Sequence, residues 1–190
     1  MKILAISGSP RKGKNTDTLL NVALDVLTEK GIETEFISLA GKKILGCNAC
    51  MGCAKENRCI IDDDFDPIYR AMINSDGFII GSPVYFGSAT AEINGLLDRA
   101  GYIGRKHGNP FSRKVGGPVV VARRAGQNFT YAQLLLWFMI NGMVVPGSTY
   151  WNVAFGSHSC DVMEDREGVA TITAFAENIA WLLSGLHPER

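Results

Sequence analysis

Short apolar runs and amphipathic stretches alternate along most of this chain. Residues 2–7 (Lys2-Ile3-Leu4-Ala5-Ile6-Ser7) predict a strand buried on both faces, because four consecutive apolar residues leave no side for water. Asn15–Lys30 carries a helical apolar stripe and stops at Gly31, a suitable C-cap. Glu33–Ser38 alternates and predicts a second strand. Asp63–Ser75 reads as a helix with Pro67 near its first turn. Gly77–Gly81 is a buried strand, Ala91–Ala100 a helix and Pro118–Ala122 a fourth strand. An unusually apolar helix spans Tyr131–Asn141, Met143–Val145 starts a short fifth strand, and Thr171–Leu186 closes the chain. Strict strand–helix alternation predicts an α/β sandwich around a parallel sheet, in one domain over residues 1–190. Two segments break the alternation: the cysteine-rich stretch Ile44–Ile61 and the polar stretch Gly101–Lys114. Departures from a regular scaffold are where function concentrates.

Ligands of open parallel sheets sit beyond the carboxyl ends of the strands. Three loops leave such ends. The first, Ser9–Thr16, offers Ser9, Asn15 and Thr16 as neutral donors and Arg11 as a charged one, with Lys12 and Lys14 adding positive potential. At the start of a helix this arrangement suits a phosphate. It is neither a Walker A loop nor Gly-x-Gly-x-x-Gly. The bland alternative is a strand–helix turn capped by Asn15 or Thr16. The second loop, Pro83-Val84-Tyr85-Phe86-Gly87, offers backbone N–H groups and two flat aromatic surfaces, against the alternative that both rings pack on the sheet edge. The third, Arg123-Arg124-Ala125-Gly126-Gln127, brings two cations, either solvated or aimed at a ligand's electron-rich edge.

Charge narrows the function classes. Lys and Arg total 19, and so do Asp and Glu, so nothing favours nucleic acid or an anionic membrane. The longest apolar run, near Leu134–Ile140, falls short of the roughly 18–20 residues of a membrane span. The N-terminus enters a strand without a signal-peptide pattern, which predicts a cytoplasmic protein.

Four of the five cysteines, Cys47, Cys50, Cys53 and Cys59, lie within thirteen residues. In a reducing compartment that density favours metal binding or redox work over structural disulfides. Four thiolates hold [4Fe–4S] or Zn²⁺. Structural zinc sites usually use two separated knuckles, and one compact C-x2-C-x2-C-x5-C run lies nearer the iron–sulfur pattern. Free or disulfide-forming thiols are the third reading. Gly46 and Gly52 give the loop freedom to wrap, and Lys55 and Arg58 offer charge to offset a cluster.

Gly8-Ser9-Pro10-Arg11…Asn15-Thr16 and Gly81-Ser82-Pro83-Val84-Tyr85-Phe86-Gly87 resemble the phosphate and isoalloxazine loops of the NAD(P)H-dependent FMN reductase-like flavoproteins. With the cysteine run, the chain resembles their iron–sulfur branch over about residues 1–150. The resemblance implies a flavodoxin-like fold, a five-stranded sheet ordered 2-1-3-4-5 with a cysteine-rich insertion after the second strand. It implies FMN at the carboxyl edge, near Ser9, Arg11, Asn15, Thr16, Pro83, Val84, Tyr85, Phe86, Gly87, Arg124, Ala125 and Gly126. It implies a [4Fe–4S] cluster on Cys47, Cys50, Cys53 and Cys59, close to a flavin that a neighbouring subunit often holds. The expected activity is flavin-dependent electron transfer with no indispensable side-chain acid or base. NAD(P)H or reduced ferredoxin is the donor, and a small molecule or another redox protein the acceptor. A homodimer or dimer of dimers is expected, with the helix at 131–140 at the interface. Competing readings are a cluster-free NAD(P)H-dependent FMN or quinone reductase, a flavodoxin-type carrier and a metal-binding redox module.

The remaining polar residues read as structural. Cys160 is expected to be a small buried hydrophobe or an inert thiol. His107, His158 and His187 have no metal-ligand spacing and read as surface residues. Asp62-Asp63-Asp64 reads as a cap for the following helix, and Asp98-Arg99 as an ion pair near a helix end.

Overall fold

The computed structural model describes residues 1–186, so His187 lies outside the described residues. The elements run β1 (Lys2–Ser7), α1 (Asn15–Glu29), β2 (Glu33–Ser38), α2 (Phe65–Asn74), β3 (Gly77–Pro83), α3 (Ala91–Lys106), β4 (Val115–Ala122), α4 (Gln127–Ile140), β5 (Val153–Phe155) and α5 (Arg166–Leu186). All strand pairs are parallel, and the sheet order is β2-β1-β3-β4-β5. This is the flavodoxin-like order, with its switch point between β1 and β3.

β1, β3 and β4 are covered on both faces, which explains their unbroken apolar sequences. Leu19, Leu20 and Ala23 of α1 and Ile172, Phe175 and Ile179 of α5 form the core on one face. Phe65, Tyr69, Phe78, Ile93, Phe111 and Phe138 form the core on the other. α5 is long and apolar enough to cross a membrane, but Ile172, Phe175, Ile179 and Leu183 line one helical face and are fully buried against the sheet.

Two elements depart from the sequence-based expectation. The fifth strand is Val153–Phe155, paired with Val120–Ala122, and not Met143–Val145. The predicted segment still follows the lane beside β4, where Val144 bridges Val115. The lane is then interrupted at Pro146 and resumes at Val153 after Asn152 bonds Pro118 C=O (3.2 Å) and Val120 N–H (2.9 Å). α3 continues past Ala100 to Lys106. Gly101 and Gly104, in the stretch expected to be a polar break, are packing sites. A Cβ would lie 2.9 Å from Trp137 Nε1 at Gly101 and 3.0 Å from the Phe111 ring at Gly104.

Candidate functional site

A cleft of about 200 Å³ opens at the carboxyl edge of the sheet, at the switch point. Its floor begins with the β1–α1 loop. Gly8 N–H donates to Gly81 C=O (2.8 Å), and Thr90 Oγ1 donates to Gly8 C=O (2.9 Å), so the first and second loops are tied together. Asp17 sets the curve of the loop from beneath. Its carboxylate accepts Ser7 Oγ (2.5 Å) and Gly13 N–H (2.7 Å), with Gly13 in the left-handed region. Both oxygens are occupied by these bonds. The sequence reading passed over Asp17, although an acid buried in the first turn of an amphipathic helix is itself a signal.

The N-terminus of α1 carries no side-chain cap, and Thr18 N–H makes the first intrahelical bond, to Lys14 C=O. The N–H groups of Asn15, Thr16 and Asp17 make no backbone bond among the described residues, and Asn15 and Thr16 line the cleft. Neither Asn15 nor Thr16 caps the helix. Arg11, Lys14 and Arg123 line the same cleft, together with Ser9 and Thr16 and without any acidic side chain. An uncapped helix start among cations fits the phosphate of FMN. The opposite wall is Pro83, Val84, Tyr85 and Val121, an apolar surface that fits a flat ring.

The structure distributes the predicted residues unevenly. Ser9, Arg11, Asn15, Thr16, Pro83, Val84 and Tyr85 line the cleft. Phe86 and Gly87 sit just outside at the tip of a tight turn, both with positive φ, closed by reciprocal Tyr85–Ser88 backbone bonds of 2.9 and 3.0 Å. Phe86 is fully exposed. In the third loop Arg123 lines the cleft, whereas Arg124, Ala125 and Gly126 lie beside it. A Cβ on Gly126 would be 3.0 Å from Val84, so these two loops abut. Asn15 braces a fourth wall instead of standing free. Its Nδ2 donates to His158 C=O (2.7 Å), and the stretch Gly156–Ser159 closes the cleft. That wall was missed because Gly156-Ser157-His158-Ser159 carries no pattern beyond a polar loop.

Cys160 follows this wall and is exposed, not buried. Hydrogen bonds with the Ser159 and Thr18 hydroxyls hold its thiol below the ordinary value, aided by Lys14.

The cysteine segment leaves the end of β2 and folds against α3. Cys47, Cys50, Cys53 and Cys59 all line one small apolar cavity, floored by Arg99, Tyr102 and Ile103. Among the described residues, no three metal-ligating side chains converge tightly enough to hold a single ion. Four thiols lining one cavity are nonetheless the donor set that a [4Fe–4S] cluster requires. The turns that wrap the loop fall on Ala49 and Met51, both left-handed, rather than on Gly46 or Gly52. Non-glycine residues in that region carry strain that ordered sites tolerate. At Gly52 a Cβ would sit 2.8 Å from the end of the exposed Ile60 side chain, which would have to move aside. Burial, then the other three sulfurs, push the Cys53 thiol above its ordinary value.

Neither exposed cation offered by the sequence meets the cysteines. Arg58 pairs with Glu56 (2.5 Å) on the surface. The cation beneath the cavity is Arg99, whose partner is Asp63 and not Asp98. Both side chains are buried, at 1% and 0% exposure. Arg99 Nη1 donates to Asp63 Oδ2 (2.6 Å) and Leu45 C=O (3.0 Å), and Nη2 to Asp63 Oδ1 (2.9 Å). Asp63 also accepts Leu45 N–H (2.8 Å) and Phe65 N–H (3.2 Å), clasping both ends of the cysteine segment, whereas the N-cap residue of α2, Asp64, makes no side-chain capping bond and accepts Lys43 N–H (2.7 Å) instead. Burial alone would raise the Asp63 carboxyl. The Arg99 hydrogen bonds, then those from Leu45 and Phe65, outweigh it and hold the group below its ordinary value.

Fold and cleft together define a flavodoxin-like protein with an anion-receiving carboxyl edge. The NADPH-dependent FMN reductase family matches residues 1–158. An iron–sulfur flavoprotein of Methanocaldococcus jannaschii is 40% identical over 187 residues, covering 95% of this chain and 96% of that protein. One from Methanosarcina thermophila is 36% identical over 193 residues, covering 100% and 99%. The chain belongs to the NADPH-dependent FMN reductase family and, within it, to the iron–sulfur flavoproteins. Among solved structures, a flavone reductase superposes with a TM-score of 0.70 at 22% identity, covering 100% of this chain and 65% of its own. The apo form of an NADH:FMN oxidoreductase superposes at 0.65 and 17%, covering 95% and 89%. These two share the fold.

Proposed function

We propose that this single-domain chain is an FMN-dependent oxidoreductase that moves electrons between its flavin and a [4Fe–4S] cluster on Cys47, Cys50, Cys53 and Cys59. One juxtaposition carries the reading: an uncapped, cation-lined helix start and a four-thiol cavity on the same chain. When bound, the flavin accepts electrons in pairs and returns them singly, a chemistry an adjoining cluster can use. Ser9, Arg11, Thr16 and the first N–H groups of α1 hold the phosphate. Val84 and Tyr85 carry the ring. The N–H groups of Phe86 and Gly87 at the turn have no backbone partner among the described residues. Arg123, rather than Arg124, supplies positive charge to the cleft.

The two sites are staggered along the fold. α3 starts at the carboxyl edge with Ala91, and Arg99 lies eight residues on, about 12 Å further along the helix at 1.5 Å per residue. This separation favours a cluster that serves a neighbouring subunit's flavin. The exposed apolar face of α4, with Leu136, Met139 and Ile140, favours a homodimer or dimer of dimers. NAD(P)H or a reduced ferredoxin is the donor and a small molecule or redox protein the acceptor, in the cytoplasm.

Arg11→Ala is expected to weaken FMN binding about tenfold, because a charge-assisted hydrogen bond is worth roughly 1.5–3 kcal/mol and Arg11 is solvent-exposed. Titration of the apoprotein by flavin fluorescence measures it. Cys50→Ser, prepared without air, is expected to lose its iron and acid-labile sulfide and keep one FMN per chain. Wild-type protein purified the same way with FMN but without iron and sulfide supports the cluster-free reductase instead.

A further inference from the structure

We infer that Arg99 is a positioning residue for the cluster: a buried donor that holds the Cys59 ligand and sets the potential at which the cluster accepts an electron. The inference rests on the cluster reading above. Arg99 Nε lies 3.3 Å from Cys59 Sγ, and its N–H is directed at that sulfur. The rest of the guanidinium is fixed by Asp63, by Leu45 C=O and by the Phe65 ring, 4.1 Å from Cζ. Thus the Nε–H cannot turn to another acceptor. A neutral thiol is a weak acceptor, whereas a metal-bound thiolate is a strong one. The donor is therefore aligned for the loaded site. A cluster gains negative charge on reduction, and a buried hydrogen bond to a ligand sulfur favours that state. Asp63 neutralises the guanidinium but touches no cysteine, so the positive end of the pair faces the sulfur.

The sequence carried a signal for this role. Leu96, Arg99 and Ile103 share the stripe by which α3 packs, and a charge there must have a partner. The test is spectroscopic and uses the holoprotein. With ¹⁵N confined to arginine, the reduced wild-type cluster is expected to show a ¹⁵N coupling in pulsed electron paramagnetic resonance. The double variant Arg99→Gln/Asp63→Asn removes the charged donor and keeps an uncharged pair to clasp the loop. It is expected to lose the coupling and to favour the oxidised cluster about tenfold, which is about 59 mV toward negative potential for one electron. No arginine coupling in a fully loaded wild type overturns the inference, as does a loaded double variant with an unmoved potential. A wild type lacking iron and sulfide under anaerobic preparation overturns the cluster reading itself, a result distinct from either.

Discussion

Asp63→Ala is expected to lose about 3–5 kcal/mol of stability at neutral pH, the cost of leaving one member of a buried ion pair without its partner. Arg99 would keep its charge in an environment where it is 1% exposed, with Leu45 C=O and the Cys59 sulfur as its remaining polar contacts. The same substitution frees Leu45 N–H and Phe65 N–H, so the cysteine segment keeps only the Lys43–Asp64 bonds to tie its entry to its exit. Denaturant unfolding monitored by circular dichroism measures the loss, and proteolysis is expected to nick residues 45–62 first. The effect depends on pH in a fixed direction. The folded carboxyl lies below its ordinary value, so its contribution is complete above about pH 4, the usual range of an unfolded Asp, and is lost as pH falls through the depressed value. The gap between wild type and variant therefore narrows in acid. A gap that is constant down to pH 2 contradicts this assignment.

Gly8→Ala is the second large effect, at about 3 kcal/mol. A Cβ at Gly8 would lie 2.1 Å from Ile93 Cγ1 and 2.9 Å from Thr90 Oγ1. Ile93 is fully buried and cannot move aside, so the loop must shift, at a cost near the top of the usual range for overpacking. The displaced atoms include Gly8 N–H and C=O, which tie the first loop to Gly81 and Thr90. FMN affinity should fall together with thermal stability. Arg11→Ala provides the contrast, since it should weaken FMN without moving the melting temperature of the apoprotein. A Gly8→Ala protein with wild-type stability and affinity would remove the tie between the loops from the account.

The scaffold was legible where one physical signal dominated. Buried parallel strands must be apolar throughout, and β1, β3 and β4 announce themselves for that reason. β5 was misplaced because a three-residue edge strand carries little hydrophobic signal, while Met143-Val144-Val145 just upstream carries more. α3 was cut short because Gly101–Lys114 reads as a polar stretch, when Gly101 and Gly104 in fact admit Trp137 and Phe111 against the helix. The cleft loops were legible because each leaves a strand end with the composition of a ligand loop. The fourth wall and the Arg99–Asp63 clasp were not, since both are long-range: Asn15 reaches His158, and Asp63 reaches Arg99. Local patterning places residues on elements. Only the packed fold shows which distant side chains meet.

The affinity of the apoprotein for FMN against riboflavin, measured by calorimetric titration, tests the central assignment most directly. The two ligands differ only in the phosphate, which the open start of α1, Ser9, Thr16 and Arg11 are placed to receive. FMN is expected to bind about a hundredfold more tightly, close to 3 kcal/mol, with one molecule per chain. Equal affinities, or no binding of either, would contradict it.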